Sequence, residues 1–418
     1  MCIRDSLYVV CGRSVEPGKG SDDSEQDTRS KEPPVADAGP DQTTRVGSYV
    51  ILDATKSKPG GAEKIVYYKW SQDKNNPARV RSLLSGSADS LHYIGFTKEG
   101  VYKFTLIVNN GIQDSEPDEV IVTVNPRDNI IFEDPSLEIH IRFALKKPDG
   151  ELTENDLLSI TKLNYALIIV DDVASLKGIE HCKNLEFLGM QLQKISDISP
   201  LSGLKKLTHI DLDQNLRIRD LNPLSGLTEL RHLNLEKNKI VGITPLANLT
   251  ELIYLNIKGN PVRDISVVSN MKKMQQFWMC DSQTNDISGV AGLNDLSLLW
   301  VSSCRVKDIT PIKNLTKLRT IYFTDNQIVD ISPLKRLTDL EYIDLDKNQI
   351  VDVSPLEKLV KIRRLNLWYN RITDILPLVK NRGLGRGDFL GLIGNPLNEK
   401  SVNEYIPELR KRGVYVSW

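Results

Sequence analysis

The sequence predicts a multidomain chain: a β-sandwich followed by a right-handed α/β solenoid with a helical cap at each end. Two observations carry that expectation. Pro223, Pro245, Pro311, Pro333, Pro355 and Pro377 fall on a 22-residue ruler, with Val267 and Gly289 on the two marks between Pro245 and Pro311. Ahead of that array, residues 33–126 hold short alternating apolar runs separated by turn residues, as a strand-rich module requires. A chain of 418 residues has room for both parts, since a domain takes roughly 150 residues.

Composition excludes several classes. The 54 Lys+Arg against 55 Asp+Glu leave a net charge of −1, whereas a nucleic-acid binder needs a basic face to displace phosphate counterions. The apolar run from Ala166 to Val170 is far too short to cross a bilayer. Cys2, Cys11, Cys182, Cys280 and Cys304 form no CxxC pair and are too scattered for a disulfide framework.

Residues 1–11 end in Leu7-Tyr8-Val9-Val10-Cys11, followed by Gly12. This stretch resembles the tail of a bacterial lipoprotein signal, which implies lipidation at Cys11. It departs from that pattern at Tyr8 and Val10, and it is shorter than a signal core of about 7–15 residues. The expectation is a truncated signal remnant; the alternative is a disordered terminus with a chance cysteine. Residues 12–32 carry four basic and six acidic side chains and almost nothing apolar. Such a segment cannot offset its ordering entropy, so a flexible tether is expected.

Within residues 33–126, Val50 to Leu52, Ile65 to Trp70, Val101 to Val108 and Val120 to Val124 read as strands. Asn109-Asn110-Gly111 tolerates positive φ and marks a tight turn. Trp70 is the natural core plug. The strings Pro33-Pro34-Val35-Ala36-Asp37-Ala38-Gly39-Pro40-Asp41-Gln42, Val46-Gly47, Leu52-Asp53, Tyr68-Lys69-Trp70-Ser71-Gln72, Gly100-Val101-Tyr102-Lys103-Phe104 and Pro117-Asp118 resemble the PKD family of immunoglobulin-like modules. That resemblance implies an extracytoplasmic spacer. The scattered acids give no metal-ligand set to carry over.

Residues 173–395 repeat one apolar pattern, as in Leu340-x-x-Ile343-x-Leu345-x-x-Asn348-x-Ile350-x-x-Val353-x-Pro355-Leu356. The pattern resembles the leucine-rich repeat, with one strand and one return segment per turn. Its inward Leu/Ile set can be buried only by stacking on neighbouring turns. Asn215, Asn238, Asn260, Asn326, Asn348, Asn370 and Asn395 stand at the bend, with Gln193, Ser282 and Cys304 as exceptions. There an amide can both donate to and accept from backbone groups of adjacent turns. Cys304 is accordingly expected to be a buried structural substitute.

The phrase Asp-Ile-Ser-Pro-Leu, at Asp197 to Leu201 and Asp330 to Leu334, resembles the internalin-type bacterial subclass. The flanks agree with that resemblance. Residues 127–172 contain Phe132 to Leu137, a helical spacing of Leu137, Ile141, Ala144 and Leu145, and a capping-box-like Thr153-x-x-Asp156, which resemble a helical N-terminal cap. Residues 396–418, with Tyr405-Ile406-Pro407 and Arg412 to Val416, resemble the C-terminal cap, and Pro407 implies a kink. The Gly-rich insertion from Asn381 to Gly387 lengthens the last unit and leaves its register open.

In a parallel solenoid sheet, inward residues alternate with outward ones on the concave side. The central outward column reads Gly189, Asp211, Asn234, Asn256, Trp278, Trp300, Tyr322, Asp344 and Asn366. Two residues earlier stand Phe187, His209, His232, Tyr254, Gln276, Leu298, Thr320, Tyr342 and Arg364. The column two residues later includes Asp213, Glu236, Asp346 and Trp368. Tyr254, Trp278, Trp300, Tyr322 and Tyr342 are expected to form one aromatic band across five turns, because adjacent strands lie about 4.8 Å apart. Phe187, Trp368 and Asp344 complete the expected partner-binding set. Exposed aromatic patches favour an interface; the bland alternative is cross-strand stacking that only steadies the sheet.

Other constellations carry less. His209 and His232, near Asp211 and Asp213, contain metal-ligand chemistry, but such residues more often contact partners and no buried second shell is evident. No metal or cofactor is expected. Asp344-x-Asp346-x-Asn348 lacks the Gly and terminal Glu of a calcium loop. Gly383-x-Gly385-x-Gly387 lacks a strand–Gly–helix setting, and Gly18-Lys19-Gly20 lacks a P-loop's spacing. No GxSxG or HExxH occurs. The expected function is a non-enzymatic, monomeric, exported or cell-surface binding protein with a protein ligand on its concave face. The alternative is a glycan or cell-wall adhesin whose aromatic band stacks on sugar rings.

Overall fold

A computed structural model describes residues 32–80, 89–127, 131–164 and 171–418. The signal-like stretch with Cys11 and residues 12–31 of the expected tether lie outside them.

The first module is two-layered. Strands β1 (Gln42–Arg45), β3 (Tyr67–Gln72), β5 (Gly100–Asn109) and β6 (Asp118–Asn125) form one sheet in the order β1-β6-β5-β3, and β2 (Tyr49–Asp53) pairs with β4 (Leu91–Gly95) in the other. Along β5 alternate residues Tyr102, Phe104, Leu106 and Val108 are buried, and they close on Trp70, Leu52, Ile94 and Phe96. Strands β1 and β4 add to those expected from the sequence. β1 reads Gln-Thr-Thr-Arg, with no apolar residue, and is held by parallel pairing of Gln42 to Arg45 with Val122 to Asn125. At the turn, Asn109 accepts the Gly111 N–H at 2.7 Å, and Gly111 takes φ 86°.

Helices α1 (Pro135–Leu145) and α2 (Glu154–Ser159) follow. Asp134 caps α1 by accepting the Ser136 N–H at 2.8 Å, and the Thr153/Asp156 box caps α2 reciprocally. The spacing predicts one apolar face on α1; the helix is covered on two sides. Leu137 and Ile141 join the solenoid core, while Ile139 packs on Tyr49 of the sandwich, with Tyr93 and Phe143 alongside. Gly95 matters to this contact, since a Cβ there would lie 2.8 Å from Ile139.

His140 on the same helix is 1% exposed, and burial pushes its imidazole down to about 4. Its folded value lies below the ordinary 6.5, so the unfolded chain binds the extra proton between those limits. Stability is therefore full above pH 6.5 and is lost as pH falls towards 4, by about 3 kcal/mol in all. The urea midpoint should drop between pH 7 and pH 5 in the wild type. A His140→Gln variant should lack that part of the slope; an unchanged slope would refute the assignment.

The second module is a 12-stranded parallel sheet whose strands neighbour one another in sequence order, β7 to β18. They are β7 (Lys162–Asn164), β8 (Phe187–Gly189), β9 (His209–Asp211), β10 (His232–Asn234), β11 (Tyr254–Asn256), β12 (Gln276–Cys280), β13 (Leu298–Ser302), β14 (Thr320–Tyr322), β15 (Tyr342–Asp344), β16 (Arg364–Asn366), β17 (Phe389–Gly391) and β18 (Tyr415–Ser417). The inward residues of β8 to β16, Leu188, Ile210, Leu233, Leu255, Phe277, Leu299, Ile321, Ile343 and Leu365, are all at most 2% exposed and belong to one continuous core. Each strand ends in a bend, and the chain returns through short 3₁₀ turns. The recurring Asp-x-Ser has a mechanical reason there. Asp330 accepts the Ser332 N–H at 2.7 Å and its hydroxyl at 2.8 Å, and Asp197, Asp264, Asp286 and Asp352 do the same for Ser199, Ser266, Ser288 and Ser354. Proline fits the next position because the N–H it lacks has no helical partner there.

The open register of the last unit resolves as Arg364 opposite Phe389, so the return segment with α3 (Leu376–Lys380) absorbs the glycine insertion. Near the end, a π-helical turn at Ser401–Tyr405 leads into α4 (Ile406–Lys411). Pro407 sits in the first turn of α4, and the backbone stays helical through Tyr405 and Ile406, so the expected break is replaced by the π-helical turn ahead of it.

A candidate ligand-binding face

The bend asparagines form a hydrogen-bonded ladder. Asn326 donates to the carbonyls of Val301 and Phe323 at 2.8 and 3.0 Å, and accepts the N–H groups of Val306 and Cys304 at 3.0 and 3.2 Å. Asn215, Asn260, Asn348, Asn370 and Asn395 accept the N–H of Ile195, Ile240, Ile328, Ile350 and Ile372 in the same way. Asn238 donates as the others do, to Leu212 and Leu235, but its Oδ1 has no partner among the described residues. Cys304 is 2% exposed, its Sγ donates to the Ser302 carbonyl at 3.1 Å, and burial raises its thiol.

Strand pairing puts Asp211, Asn234, Asn256, Trp278, Trp300, Tyr322, Asp344 and Asn366 side by side, with the column from Phe187 to Arg364 beside them. The rings then sort themselves differently from the expected band. Tyr254–Trp278, Trp278–Trp300 and Trp300–Tyr322 have centroids 6.2, 4.9 and 4.6 Å apart. Tyr342 is not in ring contact with Tyr322 among the described residues; it stands in the other column, opposite Thr320, and is 43% exposed. The ladder runs the other way instead. Tyr254 stacks on His232 at 6.1 Å, His232 on His209 at 4.2 Å and 9°, and His209 on Phe187 at 5.8 Å. Seven rings thus cross seven successive strands, β8 to β14, changing column between Tyr254 and Trp278. A scan for Phe, Tyr and Trp misses the two histidines, which behave here as flat rings.

All seven rings are half-buried, because each covers its neighbours. Trp300 donates its Nε1 to Ser302 Oγ at 2.9 Å, whereas the Trp278 and Trp368 Nε1 atoms are buried without an acceptor among the described residues. The indole N–H groups of these three residues are therefore turned inward. Trp368 belongs to a second group, edge-on to Phe389 at 6.1 Å, with Phe389 stacked on Tyr415 at 5.7 Å and Arg364 over Phe389 at 4.7 Å. Phe389 and Tyr415 escape sequence reasoning because the glycine insertion hides the register.

Asp344 has a local task as well. Its Oδ1 accepts the Asp346 N–H at 3.1 Å and the Asn366 side-chain amide at 3.2 Å. Asp211, Asn234, Asn256 and Asn366 likewise accept the N–H two residues on, which explains why that column alternates with Asp and Asn where it is not aromatic. Burial raises the carboxyls of Asp211, Asp213 and Asp346 and lowers the imidazoles of His209 and His232. The stacked imidazoles are poorly posed for one metal, since lone pairs in near-parallel rings do not converge.

The family model described as Leucine Rich repeats (2 copies) matches residues 228–270, 295–336, 316–358 and 338–380. A second family model, of a PKD domain, matches residues 38–124. Among solved structures, an internalin (inlF) from Listeria monocytogenes is 30% identical with a TM-score of 0.55, covering 67% of this chain and 89% of that one. The functional domain of InlJ from the same species is 19% identical with a TM-score of 0.56, covering 69% and 60%. The leucine-rich repeat ectodomain of the Arabidopsis thaliana receptor kinase GASSHO1/SCHENGEN3, in complex with Casparian strip integrity factor 2, is 18% identical with a TM-score of 0.51, covering 64% and 37%. The last two likenesses are of fold alone. No curated protein matches the chain.

Proposed function

From a chain that belongs to the internalin-type leucine-rich repeat family, with a PKD domain ahead of its repeats, we propose a non-enzymatic binding protein that docks a protein partner on its concave face. The observation that supports this most is the seven-ring ladder, a half-buried aromatic stripe across one face of the sheet. Tyr and Trp are favoured interface anchors, and stripes of this kind on a protein surface mark contacts. From Phe187 to Tyr254 the rings stack on one another, and Lys258 covers Trp300, so these faces are less free for the flat face of a sugar ring than for side chains of a protein.

On the same reading the protein is monomeric and acts outside the cytoplasm, secreted or at a cell surface. Residues 33–126 serve as a spacer, 127–172 and 396–418 as caps of the array 173–395, residues 12–32 as a tether, and Cys11 as a lipid attachment point. Among the described residues no helix is long and apolar enough to cross a membrane.

Trp278→Ala with Trp300→Ala should lower partner retention in a pull-down at least tenfold. The thermal midpoint should fall by only a few degrees, because each lost ring pair is worth about 0.5–1.5 kcal/mol. A convex-side control, Lys335→Ala, should retain the partner as the wild type does. Equal retention by the double variant would refute the docking proposal, and competition by soluble polysaccharide alone would transfer it to a glycan.

A further inference from the structure

The N-terminal end of the ladder borders a cavity of about 240 Å³ lined by Phe187, His209, Ile210, Asp211, His232, Asn234 and Tyr254. Resting on the docking proposal above, we propose that this cavity receives an arginine side chain of the protein partner, between the ring edges and the Asp211 carboxylate.

Charge complementarity carries the assignment. Asp211 and Asp213 lie two residues apart beside Glu236; Lys237 acts on Asp213, whereas Asp211 has only carboxylates and hydrogen-bond donors acting on it among the described residues. Asp213 Oδ1 is buried with no hydrogen-bond donor among the described residues, while its Oδ2 accepts from Gln214 Nε2 at 3.2 Å. Glu236 is already shared by Lys237 and Lys258, at 3.5 and 3.9 Å. Burial and mutual repulsion both raise the Asp211 carboxyl, so a cation arriving there relieves a standing cost.

The rings supply the second argument. Where the chain itself offers a cation, the ladder takes it: Lys162 lies over Phe187 and Lys258 over Trp300, each at 4.8 Å. Between them, His209, His232 and Tyr254 have no cation over them among the described residues. Burial holds both imidazoles below their ordinary value, helped by Arg231 and Lys162 at His209 and by His209 and Arg231 at His232, so they present neutral rings at neutral pH. Guanidinium is planar, weakly hydrated and able to meet a carboxylate with two parallel donors, which suits a half-buried aromatic wall better than a strongly hydrated ammonium.

The test uses the whole chain and acetyl-Gly-Arg-Gly-amide, followed through the His Cε1–H resonances, with Lys and Gln peptides for comparison. Signals assigned to His209 and His232 by His→Gln variants should move saturably with the Arg peptide, at least threefold more weakly with Lys, and not with Gln. Asp211→Asn should weaken Arg binding at least tenfold. That variant keeps the fold, because Asn234, Asn256 and Asn366 already serve in the same column as acceptors. The Trp278→Ala/Trp300→Ala variant should still bind the peptide, so loss of the docking proposal and loss of this one are read separately. No saturable shift, equal shifts with Gln, tighter binding of Lys, or indifference to Asp211→Asn would each overturn the assignment.

Discussion

Glu138→Ala is expected to destabilise the protein by about 3–5 kcal/mol, the usual cost of removing one partner from a buried ion pair. Glu138 and Arg142 are each 4% exposed. Glu138 Oε1 accepts from Arg142 Nε at 2.9 Å and Nη2 at 2.8 Å, while Arg127 Nη1 lies 3.4 Å from Oε2. Without the carboxylate, a guanidinium stays buried with only the Gly150 carbonyl, at 2.9 Å, as acceptor among the described residues. The group also sits where α1 meets the sandwich, so close to Gly47 that a Cβ there would approach Glu138 Oε2 to 2.6 Å. The loss should therefore loosen both modules. Native-state amide exchange, read in β5 for the sandwich and in β13 for the solenoid, measures it. A shift under about 1 kcal/mol in both strands, the range of exposed pairs, would show that the pair is solvated.

Asn326→Ala is the second large effect. It strands two buried N–H groups, those of Cys304 and Val306, and removes a donor from the Val301 and Phe323 carbonyls. At about 1–3 kcal/mol for each orphaned donor, the loss is about 2–6 kcal/mol. Asn238→Ala should cost less, since the Asn238 Oδ1 has no donor to lose. Paired urea titrations of the two variants check the order as well as the size. Equal losses would mean that the donated bonds to the carbonyls, common to both sites, hold the bend.

Much of the array was legible in the sequence, because its determinants are local and repeated. A side-chain period of two within a strand and a 22-residue spacing between strands decide which residues point inward and which share an outward column. No distant contact has to be known for that. The strands of the sandwich were legible only where alternation was apolar: β1, Gln-Thr-Thr-Arg, owes its place to pairing with β6, far along the chain.

What the sequence alone determined is thus the columns; which members of a column touch was decided by tertiary structure. Tyr342 and Tyr254 share a column, yet one is 43% exposed and the other lies stacked in the ladder, because their cross-strand neighbours are Thr320 and Arg364 in one case and His232 and Gln276 in the other. The same holds for α1. Its Leu137–Ile141 face was readable from helical spacing, but the burial of Ile139 required a second surface, supplied by Tyr49 from far earlier in the chain. Periodicity fixes direction from a residue's own backbone, whereas burial and ring contact depend on which remote side chains arrive to fill the space.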